Sequence, residues 1–451
     1  MLHCSAFAYP MTTRPSDASS LPLTRPSNVR WRILAAVMFM TFLTYLDRLN
    51  LSIAGQSIQH EMGFSTETMG WLLSAFLLGY ALLQIPGGWL ADRFGPRDVL
   101  FAAVLWWSLF TALTAVAPRL PLARWFTVAW SFAIVRFLVG VGEASSQPSI
   151  NKIVANWSPS GQRGFGTSFS IAGIGVSGAA TPVLIAGIMQ RWGWRSSFFV
   201  AGAAGVITAL VWRFYVTNHP AEHPGVNAEE LALLSEESGI ELAPTSRPAK
   251  TPWKRLLASR SVAGLALGYF CQGFPIYFFH TWFFIYLVDI RHLSITKSSL
   301  LGTMPYIAIA ALAPLGGLFS DFAVHRFGKR QGRRLAIATG MIASAILLWL
   351  GSNTRGDFTA ILLLAAGAGF NLFAAVSFWA VCIDLTKEFT ASVSGLMNTF
   401  GNLGGWLSPI VTAYLAAHYG WNRALLCASI VTLGAALFAF LIRADESLDR
   451  A

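Results

Sequence analysis

The chain has 451 residues, of which 55% are hydrophobic and only 12% charged, and its mean hydropathy is +0.55. About 25% charged residues is ordinary for a soluble domain, so this composition excludes a single soluble core and points to a membrane bundle. A formal net charge of +11 would suit a nucleic-acid binder, but the basic residues lie in short connections between apolar stretches, which excludes that reading.

Residues 1–29 contain no compact apolar signal core followed by a cleavage site, so they are expected to form a disordered cytoplasmic arm, with Met11 as an alternative start. Crossing about 30 Å of hydrocarbon takes roughly 20 apolar residues. Stretches of that kind occur near 33–54, 70–90, 98–117, 126–147, 165–187, 194–214, 262–288, 299–320, 335–351, 358–382, 391–415 and 423–442. The expected fold is therefore all-α, with twelve transmembrane helices.

The first stretch carries YLDRLNLS, Tyr45 to Ser52. Charges at membrane depth are costly unless paired or hydrated, so Asp47 and Arg48 ask for a task. A guanidinium can hold a carboxylate through two parallel hydrogen bonds. Tyr45 shares nearly the same helix face as Arg48, whereas the adjacent Asp47 points elsewhere. The competing reading is a structural ion pair, either Arg48 with Glu143 or Asp47 with Arg136.

The second stretch ends in GGWLADRFGPR, Gly87 to Arg97. Its glycines permit close helix packing, and Asp92 can accept from backbone or basic groups of a neighbouring helix. Arg93 and Arg97 lie on the side where positive residues are retained. Such a rim can hold one conformation closed, or it can simply anchor the topology.

The fourth stretch sets Arg136, Gly140, Glu143 and Gln147 along one helical stripe. In the fifth, IAGIGVSGAA lacks the preceding strand that a nucleotide-binding motif requires and reads as a close-packing surface. Residues 215–261 form a polar central loop with a short amphipathic helix around Ala228 to Glu237. Beyond it, Gln272 and Tyr277 on the seventh stretch, Ser377 and Trp379 on the tenth, and Asn398 and Asn402 on the eleventh join Tyr80 of the second as candidates to meet a hydroxyl-bearing ligand. His280, alone in an aromatic helix, reads as a hydrogen-bonded packing histidine, with pH sensing or substrate contact as the alternative. Asp384 and Glu388 sit at a rim and suit electrostatics there.

The halves resemble each other. TPVLIAGIMQRWGW and SPIVTAYLAAHYGW align Pro182 with Pro409 and Trp194 with Trp421, and GGLFSDFAVHRFG places Asp321 opposite Asp92 at nearly the same offset. Two six-helix halves, 30–214 and 262–442, with a ligand site between them permit alternating access. Basic residues collect in the connections that share a side with the termini, including Arg93, Arg97, Lys152, Arg163, Lys254, Lys329 and Arg333. Fewer lie opposite, among them Arg119, Arg191 and Arg291. The positive-inside rule then puts both termini and the tail 443–451 in the cytoplasm. Four scattered cysteines form neither a metal spacing nor a disulfide framework.

Gly88, Asp92, Arg93, Gly95 and Arg97 match the pattern G-x-x-x-D-R-x-G-x-R, which resembles the signature loop of the major facilitator superfamily, and the likeness runs from about Arg32 to Ile442. YLDRLNLS, RFLVGVGEA and RWGWRSSFF resemble the anion:cation symporter family within it, whose members include proton-linked carriers of galactonate, hexuronates and glucarate. The resemblance implies Arg48 as the ligand of the substrate carboxylate, with Tyr80, Ser377 and Asn398 as substrate-site positions. Tyr45 joins them by its helix face, and Gln272 and Trp379 are candidates for which helix packing is the competing reading. It implies Glu143 as the principal proton-coupling carboxylate, with Asp47 and Arg136 in support. Gly88, Asp92, Arg93, Arg97 and Asp321 are the expected gating residues. The expected protein is not an enzyme. It is a monomeric carrier of the bacterial inner membrane that imports a sugar acid with protons and needs no cofactor, metal or nucleic acid. Carriage of other mono- or dicarboxylates by uniport or export is the alternative, and a non-transporting receptor is a third reading.

Overall fold

A computed structural model describes residues 25–64, 66–236 and 251–449. The expected arm up to residue 24, with Cys4 and the alternative start Met11, lies outside the described residues, as do 237–250 of the central loop and the last two of the tail.

Twelve spans are present, as the hydropathy predicts. Spans one to three are Val29–Met62, Thr66–Phe94 and Pro96–Val116, span four is Val128–Glu143 followed by Ser146–Trp157, and spans five and six are Arg163–Trp192 and Trp194–Tyr215. After the central loop come Arg260–Thr281, Met304–Asn353, Asp357–Leu385, Thr390–Tyr419 and Trp421–Phe438. Among the described residues ten helices are long and apolar enough to cross a membrane. Met304–Asn353 is one of these but holds spans eight and nine, divided at Gly328, where φ is 77°. Span eleven falls short of that apolar standard because Ser392, Ser394, Asn398, Asn402 and Ser408 interrupt it.

Two spans depart from the continuous helices the sequence suggests. Span four turns at Ala144 and Ser145, because Pro148 has no N–H to give to the carbonyl four residues earlier. Span seven stops at Thr281 and continues as the short helical turns Phe283–Ile285 and Tyr286–Ile290. The internal repeat is visible in the backbone. Gly193 and Gly420, each just before the aligned tryptophan, take φ of 78° and 82°, a region that disfavours residues with a Cβ.

The halves meet where glycines let backbones approach. A Cβ on Gly88 of span two would collide with the Ala391 carbonyl oxygen at the start of span eleven. On the other side of the bundle, Gly175 and Gly178 of span five lie against the Ala310 backbone and the Tyr306 ring of span eight, as the close-packing reading of IAGIGVSGAA requires.

The expected disorder of residues 25–29 is corrected. Glu230, fully buried on the loop helix Ala228–Glu236, accepts from the backbone N–H groups of Val29 and Arg30, both at 2.9 Å, and from the Ser27 hydroxyl. A carboxylate at a helix N-terminus satisfies donors that have no intrahelical partner.

Candidate functional site

Span one delivers Arg48 to the centre of the molecule. Its Nε donates to Glu143 Oε2 of span four at 2.8 Å, and its side chain keeps 16% exposure while that of Glu143 has none. Aromatic faces surround the guanidinium, with ring centroids of Tyr80, Tyr45 and Phe76 at 4.3, 4.8 and 5.3 Å. Cation–π contact of this kind holds a cation in place without neutralising it. Arg48 Nη2 and Glu143 Oε1 have no hydrogen-bond partner among the described residues.

Arg136 and Asp47 complete the charged group without forming a hydrogen-bonded pair. Arg136 is 2% exposed, has its guanidinium 5.2 Å from the centroid of the same Phe76 ring, and leaves Nε and Nη1 unpartnered among the described residues. Asp47, 1% exposed, turns toward the Trp107 indole of span three, and both its carboxylate oxygens lack a hydrogen-bond partner there. Two arginines and two carboxylates thus share a buried site with several unfilled hydrogen-bonding positions. Such groups are costly to leave unsatisfied, and functional sites are where they persist.

Span eleven closes the other wall. Asn398 Nδ2 donates to the Tyr80 hydroxyl at 3.2 Å and to Gln84 Oε1 at 3.0 Å, which ties the second half to the aromatic platform beneath Arg48. Arg48, Tyr45, Tyr80 and Asn398 therefore come together.

Three other expected substrate ligands bond to partners outside this group. Ser377 is fully buried and donates to Ser320 Oγ at 2.9 Å, which also accepts from Arg333 Nη1 at 2.7 Å, so it belongs to a network near the ends of spans eight to ten. Gln272 donates to Asn371 Oδ1 at 2.5 Å, and Asn371 returns a bond to its carbonyl, an arrangement internal to the second half. Trp379 Nε1 is spent on the Tyr269 hydroxyl at 2.7 Å.

The gating residues divide in the same way. Asp92 accepts from the N–H groups of Ala391 at 3.1 Å and Ser392 at 2.7 Å, and Lys152 Nζ stands 3.2 Å away. Asp321 accepts from Gly164 at 2.8 Å and Phe165 at 2.7 Å and binds Arg333 at 3.1 Å. Arg163 and Arg333 grip the two oxygens of Asp384 at 2.7 and 2.9 Å, and Lys152 donates to the carbonyls of Lys387 and Glu388. The bonds of Asp92 to Ala391 and Ser392, of Asp321 to Gly164 and Phe165, of Arg163 to Asp384 and of Lys152 to the two carbonyls join the halves at the end of the bundle that carries the described ends of the chain. The Lys152–Asp92 and Arg333 pairs brace each half. Arg93 and Arg97 take no part, which corrects their expected place. Adjacent residues do not share a helix face. Arg93 therefore turns away from span eleven to Trp89 and Phe94, and Arg97 donates to the Arg213 carbonyl within its own half.

Phe76, Gln84 and Trp107 were not singled out from sequence. For Phe76 a signal existed, since it precedes Tyr80 by one helical turn. Trp107 carries no local mark, because its buried place on span three is set by tertiary packing alone.

The family description Major Facilitator Superfamily matches residues 37–409. The probable galactarate/D-glucarate transporter GarP of Escherichia coli (strain K12) is 34% identical over 426 residues, covering 91% of this chain and 94% of that protein. The D-galactonate transporter of Escherichia coli O6:H1 (strain CFT073) is 31% identical over 430 residues, covering 93% and 97%. Among solved structures, the proton:xylose symporter XylE aligns with a TM-score of 0.71 at 17% identity, covering 91% of this chain and 95% of that one, which shows the shared fold. The sequence match, the twelve spans and the aspartates that bridge the two halves agree: the chain belongs to the Major Facilitator Superfamily.

Proposed function

We propose that this protein imports a sugar acid together with protons by alternating access. The observation that carries the reading is the bond of Arg48 to Glu143, made by one nitrogen of a guanidinium that is part-exposed and keeps another donor free. A substrate carboxylate arriving at Arg48 competes with Glu143 for the same charge. Once displaced, Glu143 is a buried carboxylate without its cation, a state that favours taking up a proton. Proton and anion then occupy the site together, and the net charge buried in the bundle stays nearly constant.

Asp47 supports this exchange as a second buried carboxylate and Arg136 as a second buried cation. Hydroxyls on the substrate find Tyr45, Tyr80 and Asn398. The relatives named for galactarate, D-glucarate and D-galactonate support the same class of solute. The termini lie in the cytoplasm by the positive-inside rule, so the bonds at Asp92, Asp321 and Asp384 close the cytoplasmic end in this state. The membrane potential contributes about 2.3 kcal/mol per 100 mV for each proton carried in excess of the negative charges on the solute. The protein works as a monomer in the bacterial inner membrane.

The test is uptake by purified protein in liposomes, across galactarate, D-glucarate, D-galactonate and short dicarboxylates, with and without an inward proton gradient. Accumulation of a sugar acid that collapses when the gradient is removed is expected. Equal equilibration under both conditions would replace symport with uniport.

A further inference from the structure

His280 stands at the end of span seven, exposed, one turn beyond Tyr277. Its ring meets Tyr277 edge-on at 5.5 Å and Tyr306 of span eight at 5.8 Å, and neither ring nitrogen has a hydrogen-bond partner among the described residues. A packing histidine, the reading from sequence, would have those nitrogens satisfied.

Its surroundings place it on the wall that faces Arg48. The Tyr306 ring rests on Gly178 of the opposite half. A hydrogen-bonded line connects the two sides. Tyr277 donates to Asn402 at 2.9 Å, Asn402 to the Asn398 carbonyl at 2.7 Å, and Asn398 to Tyr80, whose ring lies beneath Arg48.

We propose that His280 is a second anion subsite, donating an imidazole N–H to the far carboxylate of a substrate whose near carboxylate is held by Arg48. The preferred cargo is then an aldarate, charged at both ends, rather than an aldonate. The inference rests on the sugar-acid reading above and narrows it. Imidazole offers an N–H donor in either protonation state, so the subsite works whether or not the ring is charged. Arg48 and Arg136 both belong to the first half, so a dianion that reaches toward the second half would leave its far carboxylate without a donor inside the bundle, and the imidazole removes that penalty.

The experiment compares galactarate with D-galactonate for the full-length carrier in liposomes, using wild type, His280→Phe and His280→Gln. Wild type is expected to bind galactarate more tightly. His280→Phe should lose about tenfold or more in galactarate affinity, the range for one hydrogen bond to a charged group, with D-galactonate changed only slightly. The retained D-galactonate uptake also shows that the variant is folded. His280→Gln, which keeps a donor, should recover part of the loss. Unchanged galactarate affinity, equal losses for both solutes in the Phe and Gln variants, or a wild-type preference for D-galactonate would each overturn the subsite while leaving sugar-acid transport standing. A wild type that carries neither solute would remove the sugar-acid reading and the subsite with it.

Discussion

Asp92 and Asp321 make the same pair of backbone hydrogen bonds on opposite halves of the molecule. Asp92 of span two caps Ala391 and Ser392 at the start of span eleven, and Asp321 of span eight caps Gly164 and Phe165 at the start of span five. Each carboxylate meets the positive end of a helix across the interface. The two caps are the internal repeat expressed in hydrogen bonds, and under the alternating-access proposal both must break for that end to open.

Replacing Asp92 by Asn leaves one acceptor and removes the charge, so it weakens the cap. Hydrogen bonds to charged groups contribute about 1.5–3 kcal/mol each, enough to shift a two-state equilibrium roughly tenfold or more. Spin-label distances across the terminus-bearing end should lengthen in Asp92→Asn and in Asp321→Asn. The double variant should shift further than either one, because the caps sit on separate helices.

Gly88 faces the Ala391 carbonyl so closely that no Cβ fits. Gly88→Val should therefore disfavour the closed state without touching a charge. Uptake should fall severely while the thermal midpoint in detergent stays near that of wild type. Normal uptake would show that span eleven can yield at this point.

Tyr80 contributes a ring beneath Arg48 and a hydroxyl to Asn398. Tyr80→Phe keeps the ring and should raise KM for a sugar acid only a few-fold. Tyr80→Ala loses a cation–π contact of about 0.5–2 kcal/mol as well and should raise it further. Equal effects would assign the role to the hydroxyl alone.

Glu230 ties the central loop to the first span. Glu230→Ala leaves the N–H groups of Val29 and Arg30 without their acceptor and should cost about 1–2 kcal/mol, seen as a lower thermal midpoint in detergent. Sugar-acid affinity should be unchanged, since Glu230 lies far along span one from Arg48.

The spans were legible because lipid imposes a length and a polarity that few other sequences satisfy. Span eleven was found despite its asparagines and serines, since Gly and Trp of the repeat mark its end. Arg48, Tyr45 and Tyr80 were legible because charge and aromatics at membrane depth need a reason. The places of Ser377, Gln272 and Trp379 were not, because Ser320, Asn371 and Tyr269 come from other spans and claim their hydrogen bonds. Arg93 and Arg97 carried the right charge but the wrong helix face. In sequence Lys152, Arg163 and Arg333 are topology markers, yet Lys152 and Arg163 reach across the interface and Arg333 ties Asp321 to Asp384 within the second half, which only the packing of the helices shows.

The central claim is that one guanidinium serves Glu143 and the substrate in turn. The most direct measurement pairs proton-driven accumulation with solute exchange at equal concentrations, in Glu143→Gln proteoliposomes. The account predicts that exchange survives, because Arg48 still receives the anion, and that accumulation against a gradient is lost. Accumulation at the wild-type level in Glu143→Gln would contradict it.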